Sequence, residues 1–157
     1  MKKEQLKKHY FVLAFLLSSL FSMAQGPVNT PHFTLSGNYQ GAKKETNVVS
    51  GRNSYNYTIM SADNSEYYVI GVMNYKNDPA YLDEIKRSST ERYNKINFQG
   101  VPAISSEREI MSDGSLLYAK DIMFFKNSFF FSILLVAQNK NSRNSMFTKI
   151  QTNFKAK

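Results

Sequence analysis

Two carboxylates raise the first chemical question. Glu107 and Glu109 stand two residues apart in the run 104–111, whose apolar–polar rhythm is that of a strand. On a strand both would point to one face, roughly 7 Å apart. That separation is one an inverting glycosidase uses. The next residues weigh against it. Asp113-Gly114 between apolar runs is the strongest short hairpin signal available. With those two residues as the loop, Ser112 pairs with Ser115, Met111 with Leu116, Glu109 with Tyr118 and Glu107 with Lys120. Cross-strand partners of that kind ordinarily stabilise a sheet. Glu107, Glu109, Lys120 and Tyr118 are therefore candidates for a polar site on the sheet, and no residue is assigned a catalytic role. Arg108 and Asp121 lie diagonally on the other face. That face is mostly apolar, so the pair is expected to be partly buried, where breaking it costs more than at a surface.

Other chemistries find little support. Once residues 1–24 are set aside, His32 is the remaining histidine, in a Pro-flanked stretch expected to be exposed and mobile, and cysteine is absent. A zinc site would need carboxylates almost alone. The chain has no Gly-x-Ser-x-Gly turn and no glycine-rich phosphate loop. No metal and no cofactor are assigned. Asn56-Tyr57-Thr58 matches a glycosylation sequon but falls within a predicted strand.

Residues 1–24 have the three parts of a cleavable signal peptide. Lys2, Lys3, Lys7 and Lys8 form a basic start, residues 11–21 an apolar run, and Ser22-Met23-Ala24 a small-residue cleavage site. The apolar run is shorter than the about 20 residues a spanning helix needs. Of the net charge of +8, the leader holds four lysines and one glutamate, which leaves +5 on the rest. Those charges are dispersed, so a nucleic-acid patch is not expected, and membrane association is peripheral at most. An exported domain without disulfides must be held by packing, a role suited to the 12 Phe and 10 Tyr of the chain.

The elements that would position these residues follow from periodicity. Residues 25–32 read as a flexible mature N-terminus and 33–157 as one domain. Short strands are expected at 33–35 and 47–50, with a polar loop between them. A hairpin follows, with Tyr55, Tyr57 and Ile59 alternating before the turn at 62–65 and an apolar strand at 67–73. Asp78-Pro79 is a helix start. Leu82, Ile85, Ser89, Tyr93 and Ile96 then recur every three or four residues, which predicts a helix over 79–94. A meander of three strands follows, turning at Asp113-Gly114 and Asn127-Ser128, with Phe124 opposite Phe131 and Ile122 opposite Ile133. Both of its faces are apolar and call for cover. Met146, Phe147, Ile150 and Phe154 predict a second helix. The expected class is α+β: an α/β/α sandwich, with a twisted, mostly antiparallel sheet flanked by helices.

The Tyr67-Tyr68 strand pair, the Asp78-Pro79 helix, Gly100-Val101-Pro102, the FFKNSFFFSILLVA meander and the closing Met146-Phe147…Ile150…Phe154 together resemble the PsbP-like (PsbP/Mog-type) fold family. That resemblance covers about the last hundred residues. It implies an assembly or binding module, usually non-catalytic, and no functional residue of the family maps onto this chain by motif. The resulting expectation is an exported, non-catalytic binding or assembly module of a bacterial cell envelope with an envelope protein partner. The alternative is a periplasmic carrier of a small apolar ligand or lipid, motivated by the aromatic richness. A glycan hydrolase using Glu107 and Glu109 ranks third.

Overall fold

The computed structural model describes residues 25–157; the signal-peptide assignment lies outside the described residues. The chain folds as β1 (Gly26–Asn29), β2 (Phe33–Val49), β3 (Arg52–Ser61), β4 (Tyr67–Asn74), α1 (Pro79–Ser88), β5 (Asn94–Phe98), β6 (Val101–Ser112), β7 (Ser115–Lys126), β8 (Phe129–Ala137), α2 (Lys140–Asn153) and β9 (Phe154–Ala156). The strands form one sheet in the order β1-β2-β3-β4-β8-β7-β6-β5, with β9 on β2. Every pairing is antiparallel.

Four two-residue turns fix the registers. Ser50-Gly51, Gln99-Gly100, Asp113-Gly114 and Asn127-Ser128 each place both residues at positive φ. That is the mirror-image turn whose twist matches paired strands. Around them Glu107 lies opposite Lys120, Glu109 opposite Tyr118, and Phe124 opposite Phe131.

The α/β/α expectation is overturned: strands make up 60% and helices 18%, so the fold is β-rich. Among the described residues the helices do not form two layers. α1 packs over β6, β7 and Phe130 of β8, while α2 crosses the other face of the sheet. Local signals explain the difference. α1 starts as read, with the Asp78 carboxylate accepting from Ala80 N–H at 3.1 Å. It ends at Ser88 rather than Asn94, because Ser88-Ser89-Thr90 is a run of residues that favour caps over helix interiors. Ser89 is already extended. Tyr93 and Ile96 mimic helical spacing, yet Ile96 and Phe98 alternate on β5. The polar loop expected between two short strands is instead the middle of the 17-residue β2, held extended by β3. Residues 25–32 are not a loose end either: Val28 and Thr30 are buried and β1 pairs with β2.

One core fills the face under α2. Phe33, Phe98, Phe124, Phe131 and Phe154 are fully buried there with Ile122, Ile133 and Met146. Phe154 is the meeting point. Its ring stacks on Phe33 at 5.3 Å and stands edge-on to Phe124 and Phe131 at 6.1 and 5.6 Å. Phe98 of β5, at the far end of the strand order, is 6.4 Å away. The sheet therefore curls until its two ends approach one another through β9. Truncating Phe154→Ala is expected to cost about 3–5 kcal/mol, as buried Phe→Ala changes do. Urea unfolding of the variant checks this; a loss below about 1 kcal/mol would place the ring outside the shared core.

Candidate functional site

The residues singled out in the sequence are brought together as a clamp. Lys120 on β7 donates to Glu107 Oε1 at 2.9 Å, and Arg143 on α2 reaches Glu107 Oε2 at 2.8 Å. Arg143 is buried, and the Lys120 ammonium lies 4.0 Å from the Phe147 ring. The Lys120 hydrogen bond, then the charges of Lys120 and Arg143, hold the Glu107 carboxyl below the usual range. Glu109 is served separately, with Lys140 3.6 Å away and that ammonium 5.5 Å from the Tyr118 ring. The two carboxylates thus take different cations and fasten the start of α2 to β6 and β7. A general acid needs a raised pKa, whereas that of Glu107 is lowered.

On the opposite face Arg108 Nη1 contacts Asp121 Oδ2 at 2.5 Å, with Ser106 Oγ 3.4 Å from the same oxygen and Glu91 3.9 Å from the guanidinium. Asp121 is buried, and burial pushes its pKa up against the pull of Arg108.

The residues that frame a cleft lie elsewhere. A hollow of about 340 Å³ opens between the bend at Gly37–Tyr39, the β3–β4 turn and the end of α2. Gly37, at φ +144°, makes the bend possible, since a Cβ there would lie 2.6 Å from the Tyr39 ring. Behind the cleft, the fully buried Tyr68 donates to Glu66 Oε2 at 2.7 Å, and Lys149 of α2 pairs with Glu66 Oε1. Tyr39 stands edge-on to Tyr68 at 5.9 Å. Burial, then Glu66, raises the pKa of both phenols, so they remain donors at neutral pH. At the rim, Asp63 Oδ1 accepts from Ser61 Oγ at 2.6 Å, Ser65 Oγ at 2.7 Å and Ser65 N–H at 3.1 Å. Those hydrogen bonds lower its pKa to about 2. The two carboxylates and one ammonium that line the cleft can hold a small polar molecule by ion pairing and hydrogen bonding. Among the described residues, no three acidic or histidine side chains converge as a metal would require.

Sequence reading missed this cleft. Residues 62–65 register only as a turn, and Glu66 and Lys149 are 83 positions apart. The one local sign is a glycine two residues before an aromatic. His32, expected to be exposed and mobile, is half-buried: its Nδ1 lies 2.8 Å from Tyr57 Oη and its ring stacks on Tyr55 at 4.6 Å. Thr30 makes this possible, because its hydroxyl closes the turn ahead of β2 through Phe33 N–H and Phe33 C=O.

No protein-family model and no curated protein matches this chain. It is similar to a solved protein from Bacteroides thetaiotaomicron VPI-5482, a crystal structure at 1.50 Å resolution, with 9% identity and a TM-score of 0.60. The match covers 86% of this chain and 49% of that one, so this chain spans about half of that protein's length. At that identity the likeness shows the fold alone, and it carries no link to the PsbP-like family.

Burial, then the charge of Lys44, lowers the pKa of His32 below 6.5. The unfolded chain thus takes up a proton at higher pH than the folded one. Stability is complete above pH 6.5 and declines as pH falls through that value toward the folded pKa. The melting temperature should drop from pH 7.5 to 5.5, with a smaller drop in His32→Gln. An imidazole titration midpoint at or above 6.5 in the folded protein would contradict the environment described.

Proposed function

We propose that this chain is an exported, non-catalytic binding module of a bacterial cell envelope that docks a protein partner on its surface. The observation behind this reading is the filled interior. Met146, Ile150 and Phe154 are fully buried against Phe131, Ile133 and Leu135. A carrier of a lipid would need a hollow where these side chains lie, so recognition falls to the exterior. Export rests on the leader pattern of residues 1–24. Among the described residues no helix is long and apolar enough to cross a membrane.

The cleft at Glu66 and Lys149 supports a second reading, a small polar ligand. Its volume of about 340 Å³ falls at the lower end of the range of small-molecule sites.

Native mass spectrometry of the protein extracted gently from its own envelope fraction tests both readings. A second protein chain at fixed stoichiometry is the expected result, on a polypeptide beginning at Gln25. A bound molecule of a few hundred daltons that is lost in Lys149→Ala would favour the cleft instead. Recovery of the bare chain from repeated gentle extractions would sink both.

A further inference from the structure

The outer edge of β2 is occupied over only part of its length. β1 seats on it antiparallel, with Asn29 opposite Thr34, Val28 opposite Leu35 and Gly26 opposite Tyr39. Beyond the irregularity between Tyr39 and Ala42, β2 continues to Val49, paired with β3 from Ala42↔Ile59 to Val49↔Arg52 without a break. Among the described residues no strand pairs along the outer side of this length. Eight residues of regular strand, about 26 Å, thus turn half of their backbone donors and acceptors outward.

Natural sheets usually blunt such an edge with proline, a bulge, a short strand or free lysines. Residues 42–49 contain no proline, and their register with β3 is regular. Two lysines are present; both are exposed and each lies against a neighbour on the same arm. Lys43 pairs with Glu45 at 3.1 Å, and Lys44 lies 4.8 Å from the Tyr55 ring. At the tip, Val48 and Val49 are 69% and 46% exposed.

We propose that residues 42–49 of β2 receive an extended segment of a partner protein as an added antiparallel strand, in line with β1. This deepens the protein-docking reading above and depends on it. Addition of a strand at a sheet edge draws affinity from main-chain hydrogen bonds and specificity from alternate side chains. Thr46 and Val48 share one side of the strand with Lys44, while Asn47 and Val49 share the other with Lys43 and Glu45. Three basic residues, Lys43, Lys44 and Arg52, outnumber the single Glu45 on this arm. The fitting segment is therefore acidic and rich in β-branched residues, placing aliphatic side chains against Val48 and Val49 and carboxylates near the lysines. β1 shows that this edge accepts a strand in this direction, and the free length lies beyond Tyr39, the partner of the first residue of β1.

The probe is a soluble ten-residue peptide that alternates valine with threonine and glutamate, added to the purified protein and followed by fluorescence anisotropy and hydrogen exchange. Saturating peptide is expected to slow exchange of outward amides within residues 42–49 at least tenfold and to leave the opposite edge strand, β5, unchanged. Glu45→Pro and Thr46→Pro are made as a pair, because successive amides alternate between β3 and the outside. The variant that keeps normal exchange in β3 has lost an outward donor, and it should bind the peptide at least tenfold more weakly. No binding up to millimolar peptide, protection at β5 instead, or equal affinity in that variant would overturn the proposal. So would slow exchange of residues 42–49 without peptide that strengthens with protein concentration, since a second copy would then hold the edge. A stable partner recovered from the envelope while peptide leaves the edge unprotected would sink the edge assignment and leave the docking reading standing.

Discussion

The packing of Phe154 against rings from four strands is the constraint that joins the two ends of the described chain and the two ends of the sheet. α2 delivers this residue into β9, and β9 pairs with Phe33–Leu35 at the start of β2. The end of the chain then closes onto the segment around β1: Lys157 N–H donates to His32 C=O at 2.9 Å, and its ammonium reaches Asn29 Oδ1 at 2.7 Å. On the other side, the Gln99 amide in the β5–β6 turn donates to Gln151 C=O at 2.9 Å and also to Phe154 C=O. Curling of the sheet, burial of α2 and ordering of residues 25–32 therefore depend on one junction. Its contacts span almost the whole chain, so they form only after long loops close, the situation in which β-rich domains fold slowly.

How much of this was legible depends on the range of the interaction that decides each element. Asp113-Gly114 and Asn127-Ser128 announce their turns through backbone preference alone, and the registers of β6, β7 and β8 follow by counting. Glu107 opposite Lys120 was readable for that reason, while Arg143, the third member of the group, arrives from a helix and was not. The end of α1 was misread because Ile85, Ser89, Tyr93 and Ile96 keep a spacing of three to four across what is in fact a turn and a strand. The middle of β2 was invisible for a different reason. Residues 42–49 are exposed on both faces, so no apolar alternation marks them, and their extended shape comes from β3. The class expectation failed by the same route: β1 and most of β2 were read as a loose terminus and a loop, and helix was extended over β5 and β9.

The ion pairs illustrate how burial decides what a carboxylate can do. Glu107 and Asp121 each have a cation at hydrogen-bonding distance, yet their pKa values move in opposite directions. The side chain of Glu107 is 47% exposed, so the attraction of Lys120 and Arg143 outweighs desolvation. That of Asp121 is 7% exposed, and the loss of water outweighs Arg108. Removing Arg108 would leave a buried carboxylate without its partner, a costlier change than removing Lys120 from Glu107. The weight carried by these groups is structural: one fastens α2, and the other crosses the less covered face of the sheet.

A rigid, filled interior and a long exposed arm divide the work of the molecule. The core admits little change of shape, because aromatic side chains at close packing lose contacts for any shift of a fraction of an ångström. The β2–β3 arm adds little to that core, as the exposure of residues 42–53 shows. Its regular ladder therefore is not explained by burial of its own side chains. The polar composition that concealed the strand from sequence reading also keeps the arm soluble while its outer backbone is unpaired. A surface that is ordered, soluble and incompletely hydrogen-bonded can receive a strand without first rearranging, and binding there incurs little conformational entropy on this side of the interface.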